Sequence, residues 1–558
     1  MNSETVQMII TMLGGLALFI YGMNLMSDGL QKSAGERMKN ILALLTRNPV
    51  LGVLAGALCT AVLQSSSATT VMVIGFVSAG LMSLRQAISI ILGANIGTTI
   101  TAQLIAFSIG DYAWAFVAVG FVMYFFLKKK EFISYLGQTI FAFGVLFVGI
   151  NIMGGAMKPL AGSPVFIDLM TQVHDIPVLG VLLGTLMTVV VQSSSATIAV
   201  LQNLASTAGP DGVTSIIGLT GALPILFGDN IGTTITAVLA SIGGSLAAKR
   251  TAAAHVVFNI TGTFIFIWFI PYYAKFIQFI SPDGAEIDVI SRQIANAHSC
   301  FNIFNTILFI PIIGILVKVV TKIVPGKELE RMPSDPIFLD HNVLDRPFAA
   351  IHLATKEIIR LAEMTFTMIR DAQKAFVGGD REAADKVKQT EENVNVLQEH
   401  IVNYLAGMFT ADTITEEQSA KVSGLLHIAA DIEHIGDHCK NISEFADEKI
   451  KNSYDFSEEA YGEICGCFDL AKKMAAKSIE AMEECSHEIA GDVRIMEKEM
   501  NRTESELRLH HMKRISDGKC SPEFTVIYTD VVHNIEKIGD YCNNIAEAVE
   551  DNVVEKSE

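Results

Sequence analysis

The chain has 558 residues, 50% of them hydrophobic, and a net charge of −18 that is unevenly spread. Residues 1–333 hold 17 Lys+Arg against 14 Asp+Glu, a net of +3, whereas residues 334–558 hold 24 against 45, a net of −21. An apolar, membrane-like part is thus followed by a soluble acidic one, and the acidity excludes nucleic acid, whose phosphates it would repel.

Taken in order, the predicted spans are 6–27, 86–108, 112–127, 135–157, 213–240, 251–270 and 300–320, with two interrupted stretches at about 48–82 and 177–206. In the first interrupted stretch, 48–63 and 68–82 are apolar runs of 16 and 15 residues. Each is too short for the roughly 20 residues that a spanning helix needs. Between them stand Gln64, Ser65, Ser66 and Ser67, which return as Gln192, Ser193, Ser194 and Ser195 at an offset of 128. Consecutive polar side chains at bilayer depth are tolerated only where irregular backbone is buried in protein or lines a wet cavity. Each stretch therefore reads as a helical hairpin broken at its tip.

A second polar motif follows each hairpin: Gly93-Ala94-Asn95-Ile96-Gly97-Thr98-Thr99 and Gly228-Asp229-Asn230-Ile231-Gly232-Thr233-Thr234. An earlier echo pairs Gly22, Asn24 and Met26 with Gly149, Asn151 and Met153 at an offset of 127. Matched elements in one order imply an internal duplication, about 5–127 and 134–270, with an extra helix at about 300–320. Arg and Lys set the orientation. Lys32, Arg37, Lys39, Arg47 and Arg85 flank the first hairpin, Lys128, Lys129, Lys130, Lys249 and Arg250 fill two loops, and Lys318 and Lys322 close the last span. Placing these in the cytoplasm leaves Lys158, Lys275 and Arg292 outside, satisfies the positive-inside rule and puts the acidic part in the cytoplasm. Three crossings then separate the two breaks, so the repeats are inverted, as in alternating-access transporters.

Residues 48–84 and 177–248 contain no Lys or Arg. The serines nevertheless fall at the N-termini of half-helices, where unpaired backbone N–H groups and the positive dipole end favour an anion. Ser65, Ser66, Ser67, Ser193, Ser194 and Ser195 are thus the anion candidates. Gln64, Gln192, Asn95, Asn230, Thr98 and Thr233 supply neutral oxygens suited to a small alkali cation. Burying a doubly charged anion without a basic partner is costly unless a cation is bound with it. The pattern predicts cation-coupled anion uptake, with sodium favoured over a proton because the site is nearly free of titratable groups. Asp229, where the first repeat has Ala94, is the exception. It reads as a cation ligand or charge-coupling element, or alternatively as a helix cap or a group at the membrane edge. A last echo, Ala254-His255-x-x-Phe258-Asn259 and Ala297-His298-x-x-Phe301-Asn302 at an offset of 43, reads as interhelical packing by hydrogen bonds, with ion binding as the alternative.

With these residues in view, 5–325 resembles the type II sodium/phosphate cotransporter family, through the paired Gln-Ser-Ser-Ser at 64–67 and 192–195 and the paired Asn-Ile-Gly-Thr at 95–98 and 230–233. The resemblance implies inorganic phosphate as the substrate, held by the hairpin serines, with sodium at the Gln, Asn and Thr oxygens. It is the resemblance that selects phosphate among oxyanions.

Pro-containing sequence over 326–346 reads as a linker. Beyond it, amphipathic runs at about 348–378, 382–408, 414–449, 456–486, 488–516 and 522–552 predict six helices in two groups of three. Six of the eight cysteines lie here without a disulfide framework, which points to reduced thiols and the cytosol. Ile432-Glu433-His434-Ile435-Gly436-Asp437 returns as Ile535-Glu536-Lys537-Ile538-Gly539-Asp540 at an offset of 103. Glu433/Asp437 and Glu536/Asp540 are i, i+4 pairs that set two carboxylates on one helical face; Asp431 and His434 extend the first face and His533 the second. Such faces suit a divalent or transition metal, or are simply solvated acidic surface. This half, about 345–550, looks like a PhoU domain, which implies metal at the Glu-x-x-x-Asp motifs and a role in regulating phosphate uptake.

The expected fold is all-α: a polytopic membrane domain over 1–325 with inverted repeats and two helical hairpins, a linker over 326–346, and a cytoplasmic pair of three-helix bundles over 347–552. The expected function is sodium-dependent phosphate symport across the plasma membrane lipid bilayer, with a regulatory domain open to a cytoplasmic protein partner. An enzyme is not expected, because the serine runs have no neighbouring His or Lys base. The alternatives are a symporter for another oxyanion and a membrane-anchored phosphate sensor that does not transport.

Overall fold

Helix signals in the first half are local and strong. Asn48 caps the first hairpin by accepting from Leu51 N, Pro49 follows at the first helical turn, and Ser83 and Gln86 form a reciprocal capping box at the next helix. The computed structural model describes residues 3–34, 48–78, 80–107, 112–127, 131–157, 168, 172–173, 175–209, 211–242, 244–326, 332–344, 346–409, 414–454 and 456–554. Of the residues that set the orientation, Arg37, Lys39, Arg47, Lys128, Lys129, Lys130 and Lys158 lie outside them. The chain forms two units, Met1–Glu328 and Leu329–Glu558, with no β-strand among the described residues.

The first unit runs α1 (Ser3–Ala34), a hairpin of α2 (Pro49–Leu63) and α3 (Ser66–Ser78), α4 (Leu84–Ile105), α5 (Ala113–Phe126) and α6 (Glu131–Met157). It continues with a second hairpin of α7 (Pro177–Val191) and α8 (Ser194–Ala205), then α9 (Gly218–Gly232), α10 (Thr234–Ala240), α11 (Leu246–Phe266), α12 (Ile270–Ile280), α13 (Glu286–Phe309) and α14 (Ile313–Ile323). Among the described residues six segments are long and apolar enough to cross a bilayer, which makes this a multi-pass membrane protein. The four hairpin arms and α5 are not; α5, expected as a full crossing, has 14 residues.

Close backbone packing shows how the halves are related. A Cβ on Gly22 would meet Ala142 and Leu146, and one on Gly149 would meet Gly15 and Phe19. Adding 127 to 15, 19 and 22 gives 142, 146 and 149, so α1 and α6 cross about a pseudo-two-fold axis and run antiparallel. Within each half the hairpin is pressed on the following helix at glycines: Gly56 on Ile90 O and Gly93 on Val53 O in the first, Gly184 on Ile225 O and Gly228 on Val181 O in the second. Glycine is required there because the helices approach to backbone contact, the small-residue packing of membrane helices. The repeats are inverted, as their charge pattern implied.

The last span differs from its expectation. It begins at Glu286 rather than Cys300, because polar residues such as Arg292 and Asn296, paired with α4 and with Ser281, hide a helix from apolar counting. Nor is it a solitary extra helix. α11, a 3-10 turn (Ile267–Phe269) and α12 recur as α13, a 3-10 turn (Ile310–Ile312) and α14, every C-terminal boundary 43 residues later. Pro271 and Pro311 supply the break.

The second unit holds α15 (Pro347–Gly378), α16 (Arg381–Met408), α17 (Glu416–Asn452), α18 (Glu458–Glu484), α19 (His487–Ser516) and α20 (Thr525–Glu550), in two three-helix bundles packed through α17 and α20. Part of the expected linker is bound to the first bundle. The carboxylate of Glu357, itself fully buried, accepts from Ile337 N and Phe338 N at 2.8 and 2.6 Å, while Arg360 donates to Pro333 O and Asp335 O.

Candidate functional site

Each hairpin tip is built the same way. Gln64 and Gln192 adopt left-handed backbone (φ 50° and 55°) and end the first arm, a conformation that costs a non-glycine residue energy and marks a constrained site. The next serine caps the second arm: Ser65 Oγ accepts from Ala68 N and Ser193 Oγ from Ala196 N. Their hydroxyl oxygens are thus partly committed to the helix ends. Ser66, Ser194 and Ser195 are buried in the first turns of α3 and α8, and Ser67 is half-buried. A threonine pair clips the arms together, Thr60 to Thr69 at 2.9 Å and Thr188 to Thr197 at 3.0 Å.

Both hairpins reach one stretch of α4 and of α1, the first at its tip and the second, on α4, near the end of α8. Thr101 donates to Gln64 Oε1 at 2.9 Å, and Gln202 of α8 donates to Ala102 O. Ser27 of α1 donates to Leu63 O, and Met23, Met26, Ile105, Ala196 and Ala199 share one buried apolar cluster. The tips are not equivalent. Gln64 is buried and held by Thr101, whereas Gln192 is exposed and Thr236, the counterpart of Thr101, donates to Thr233 O instead.

The second motif presents oxygens. Asn95 and Asn230 donate their amide N–H groups back to Ile91 O and Leu226 O, which turns each Oδ1 outward. Thr98 and Thr233 spend their hydroxyl protons on Ala94 O and Asp229 O, leaving lone pairs free. Asp229 is fully buried; Oδ1 accepts from Thr188 at 2.7 Å, and Oδ2 has no hydrogen-bond partner among the described residues. Its reading as a helix cap does not fit its place inside α9, whose C-cap is Thr233.

The His-Asn echo joins the same network. His255 Nε2 lies 3.3 Å from Asn95 Oδ1, and Asn302 Nδ2 donates to Asn230 Oδ1 at 3.1 Å. Asn259, Asn302 and Asn305 are fully buried with their Oδ1 atoms unpartnered among the described residues. The interhelical hydrogen bonds expected of this echo are present, and the unpartnered oxygens leave positions where a ligand could bind. The repeat at an offset of 43 was the available signal for these residues; without the distances to Asn95 and Asn230 it could not be told from packing.

In the second unit α17 packs on α20 through residues that flank the two carboxylate motifs. His438 and Tyr541 have ring centroids 5.7 Å apart, Asn441 donates to Asn534 and Asn544 to Asp431, pairs that exchange under the offset of 103. Asp431 therefore sits in the contact between bundles. Glu433, His434 and Asp437 place one ligand atom each within 4.8 Å of one another, a carboxylate and imidazole set that fits a divalent transition metal. Burial, then Asp437, pushes the Glu433 carboxyl above its ordinary pKa, as expected where two acids share one helical face. Glu536 is pushed up by burial and then Asp540, but Lys537 opposes this, its ammonium lying 2.6 Å from Asp540 and 3.4 Å from Glu536.

Two inverted repeats, each offering a hydroxyl-lined helix break to a buried set of amide oxygens, make the first unit a secondary-transporter architecture. The family model for the Na+/Pi-cotransporter matches residues 18–155 and 152–280, and the PhoU domain model matches 358–446 and 464–549. The chain belongs to the sodium/phosphate cotransporter family, with PhoU domains following its membrane part. Among its relatives, "Uncharacterized protein YqeW" of Bacillus subtilis is 36% identical over 49% of this chain and 85% of its own length. "Putative inorganic phosphate export protein YjbB" of Salmonella typhimurium is 25% identical over 83% of this chain and 82% of its own. Human "Sodium-dependent phosphate transport protein 2B" is 40% identical over 18% of this chain and 15% of its own.

Proposed function

We propose that the chain is a phosphate transporter that couples phosphate to sodium by alternating access, with its PhoU-like unit in the cytoplasm as a metal-binding regulator. The observation that carries this reading is the buried Asp229, which accepts from the Thr188 hydroxyl of the second hairpin through one oxygen and is unpartnered at the other among the described residues, with no Lys or Arg on either hairpin. Such a pocket rejects a lone dianion and accepts one that arrives with cations. The hairpin serines, with the N–H groups of α3 and α8, would hold phosphate. Asp229, Asn95, Asn230, Thr98, Thr233 and the tip glutamines would hold sodium, joined by the buried asparagines of α11 and α13.

Symport is reversible, so net direction follows the two gradients. The relative named for export covers most of this chain, and export driven by a high internal phosphate concentration is the second reading. The test is purified protein in proteoliposomes, assayed with labelled phosphate under inward sodium, outward sodium and potassium-only conditions, with sulfate as competitor. Sodium-dependent accumulation blocked by Asp229→Ala is the expected result. Equal flux in potassium removes the coupling, and phosphate binding without flux makes the protein a sensor.

A further inference from the structure

The duplication inside the second unit lets its two acidic faces be compared position by position. Glu433 matches Glu536 and Asp437 matches Asp540, but His434 is replaced by Lys537. That one exchange reverses the chemistry. An imidazole offers a lone pair to a metal, while an ammonium offers only protons and a positive charge. In the first bundle the ammonium of Lys440, which also feels Asp437, is hydrogen-bonded to Glu391 of α16 at 3.0 Å, and the Glu433–Asp437 pair keeps a histidine donor, His434 Nδ1 lying 3.0 Å from Glu433. In the second bundle Lys537 bonds Asp540 and reaches Glu536, while the position matching Lys440 is Asn543, which turns to Glu547.

We propose that the two PhoU-like halves are not equivalent: the first bundle binds one divalent metal ion, and Lys537 serves as a built-in cation that closes the second bundle to metal. A divalent ion arriving at Glu536 and Asp540 would have to expel an ammonium already hydrogen-bonded there, and would find no imidazole at the position that His434 holds in the first bundle. Like charges a few ångströms apart repel, and the donor count falls from three to two. His533 lies 3.5 Å from Glu536 on the preceding turn, but among the described residues only Glu433, His434 and Asp437 bring three such ligand atoms within 4.8 Å of one another. The metal response of the cytoplasmic unit is thus confined to α17, while the second bundle keeps its charge balance with or without metal.

This inference rests on the metal reading above, and the experiment separates the two. Full-length protein in detergent is loaded with manganese(II), chosen because it prefers carboxylate and imidazole to the six cysteine thiols of this unit, desalted, and its metal content measured per chain. One manganese is expected for the unmodified chain, none for His434→Lys, two for Lys537→His, and one again for Lys537→His combined with Asp540→Ala. Circular dichroism melts confirm that each variant is folded, and Glu536→Ala, which should leave the count at one, serves as a second, milder probe. Two manganese ions in the unmodified chain, or a folded Lys537→His chain that still holds one, overturn the inference while leaving metal binding intact. No metal in any variant overturns the metal reading itself.

Discussion

Replacing Gln64 separates what its backbone does from what its side chain does. The residue sits at φ 50°, ψ 25°, where a non-glycine residue pays about 1 kcal/mol. Its Oε1 accepts from Thr101 at 2.9 Å, a bond of about 1 kcal/mol in net terms. Gln64→Ala keeps the strain and loses the bond, so it is expected to destabilise by about 1 kcal/mol. Gln64→Gly loses the same bond but relieves the strain, so the two effects roughly cancel and the glycine variant should melt above the alanine variant. Function should not follow stability. If Gln64 lends an oxygen to sodium, both variants lose it, and one such contact is worth about 1–3 kcal/mol, or roughly 5- to 150-fold in sodium affinity. Thermal melts in detergent, paired with sodium titrations of phosphate uptake in proteoliposomes, read both quantities. A glycine variant with unchanged sodium dependence would refute the assignment and reduce Gln64 to a turn-former.

Asp229→Asn keeps the hydrogen bond from Thr188 but removes the charge, and should weaken sodium coupling while leaving folding intact; undiminished sodium dependence would exclude the carboxylate from the cation site. Gly93→Ala would place a Cβ 1.9 Å from Val53 O, and since backbone cannot yield, α2 and α4 must separate at a cost of about 1–3 kcal/mol or more. A lower yield of monodisperse protein checks this, and Gly228→Ala, facing Val181 O at 2.0 Å, should behave alike. In the second unit, the raised Glu433 carboxyl favours the protonated form in the folded state. Its stabilising effect is full below the ordinary glutamate pKa and is lost as pH rises through the raised value. Metal-free protein should therefore melt higher on mild acidification from neutral pH, more so than Glu433→Gln, and saturating manganese should lessen the difference.

What could be read from the sequence and what could not divide along the duplications. The hairpin breaks were legible because Gln-Ser-Ser-Ser occurs twice inside apolar runs too short to span, and the six bundle helices because their apolar faces repeat every three to four residues. The start of α13 was not, since Arg292 and Asn296 satisfy their polar groups on neighbouring residues, and no scale of hydrophobicity registers a distant partner. The tie of His255 to Asn95 and of Asn302 to Asn230 is likewise a fact of three dimensions.

The pseudo-symmetry then shows where function concentrates. Glycine contacts, threonine clips and capping serines match across the repeats, as a shared scaffold requires. Among the differences, those that bear on ligand chemistry are Asp229 for Ala94, an exposed Gln192 for a buried Gln64, and Lys537 for His434. A pair of repeats that could exchange places would need identical tips only if both did the same work in one state. In an alternating transporter a single conformation must hold one gate closed and the other open, so a tip that is latched to Thr101 on one side and released from Thr236 on the other is what one half-cycle of a symmetric machine should look like. The test lies in the other half-cycle: a cysteine pair at Gln192 and Thr236 should cross-link only under conditions that break one at Gln64 and Thr101, and simultaneous cross-linking of both would mean that the asymmetry is fixed and not part of transport.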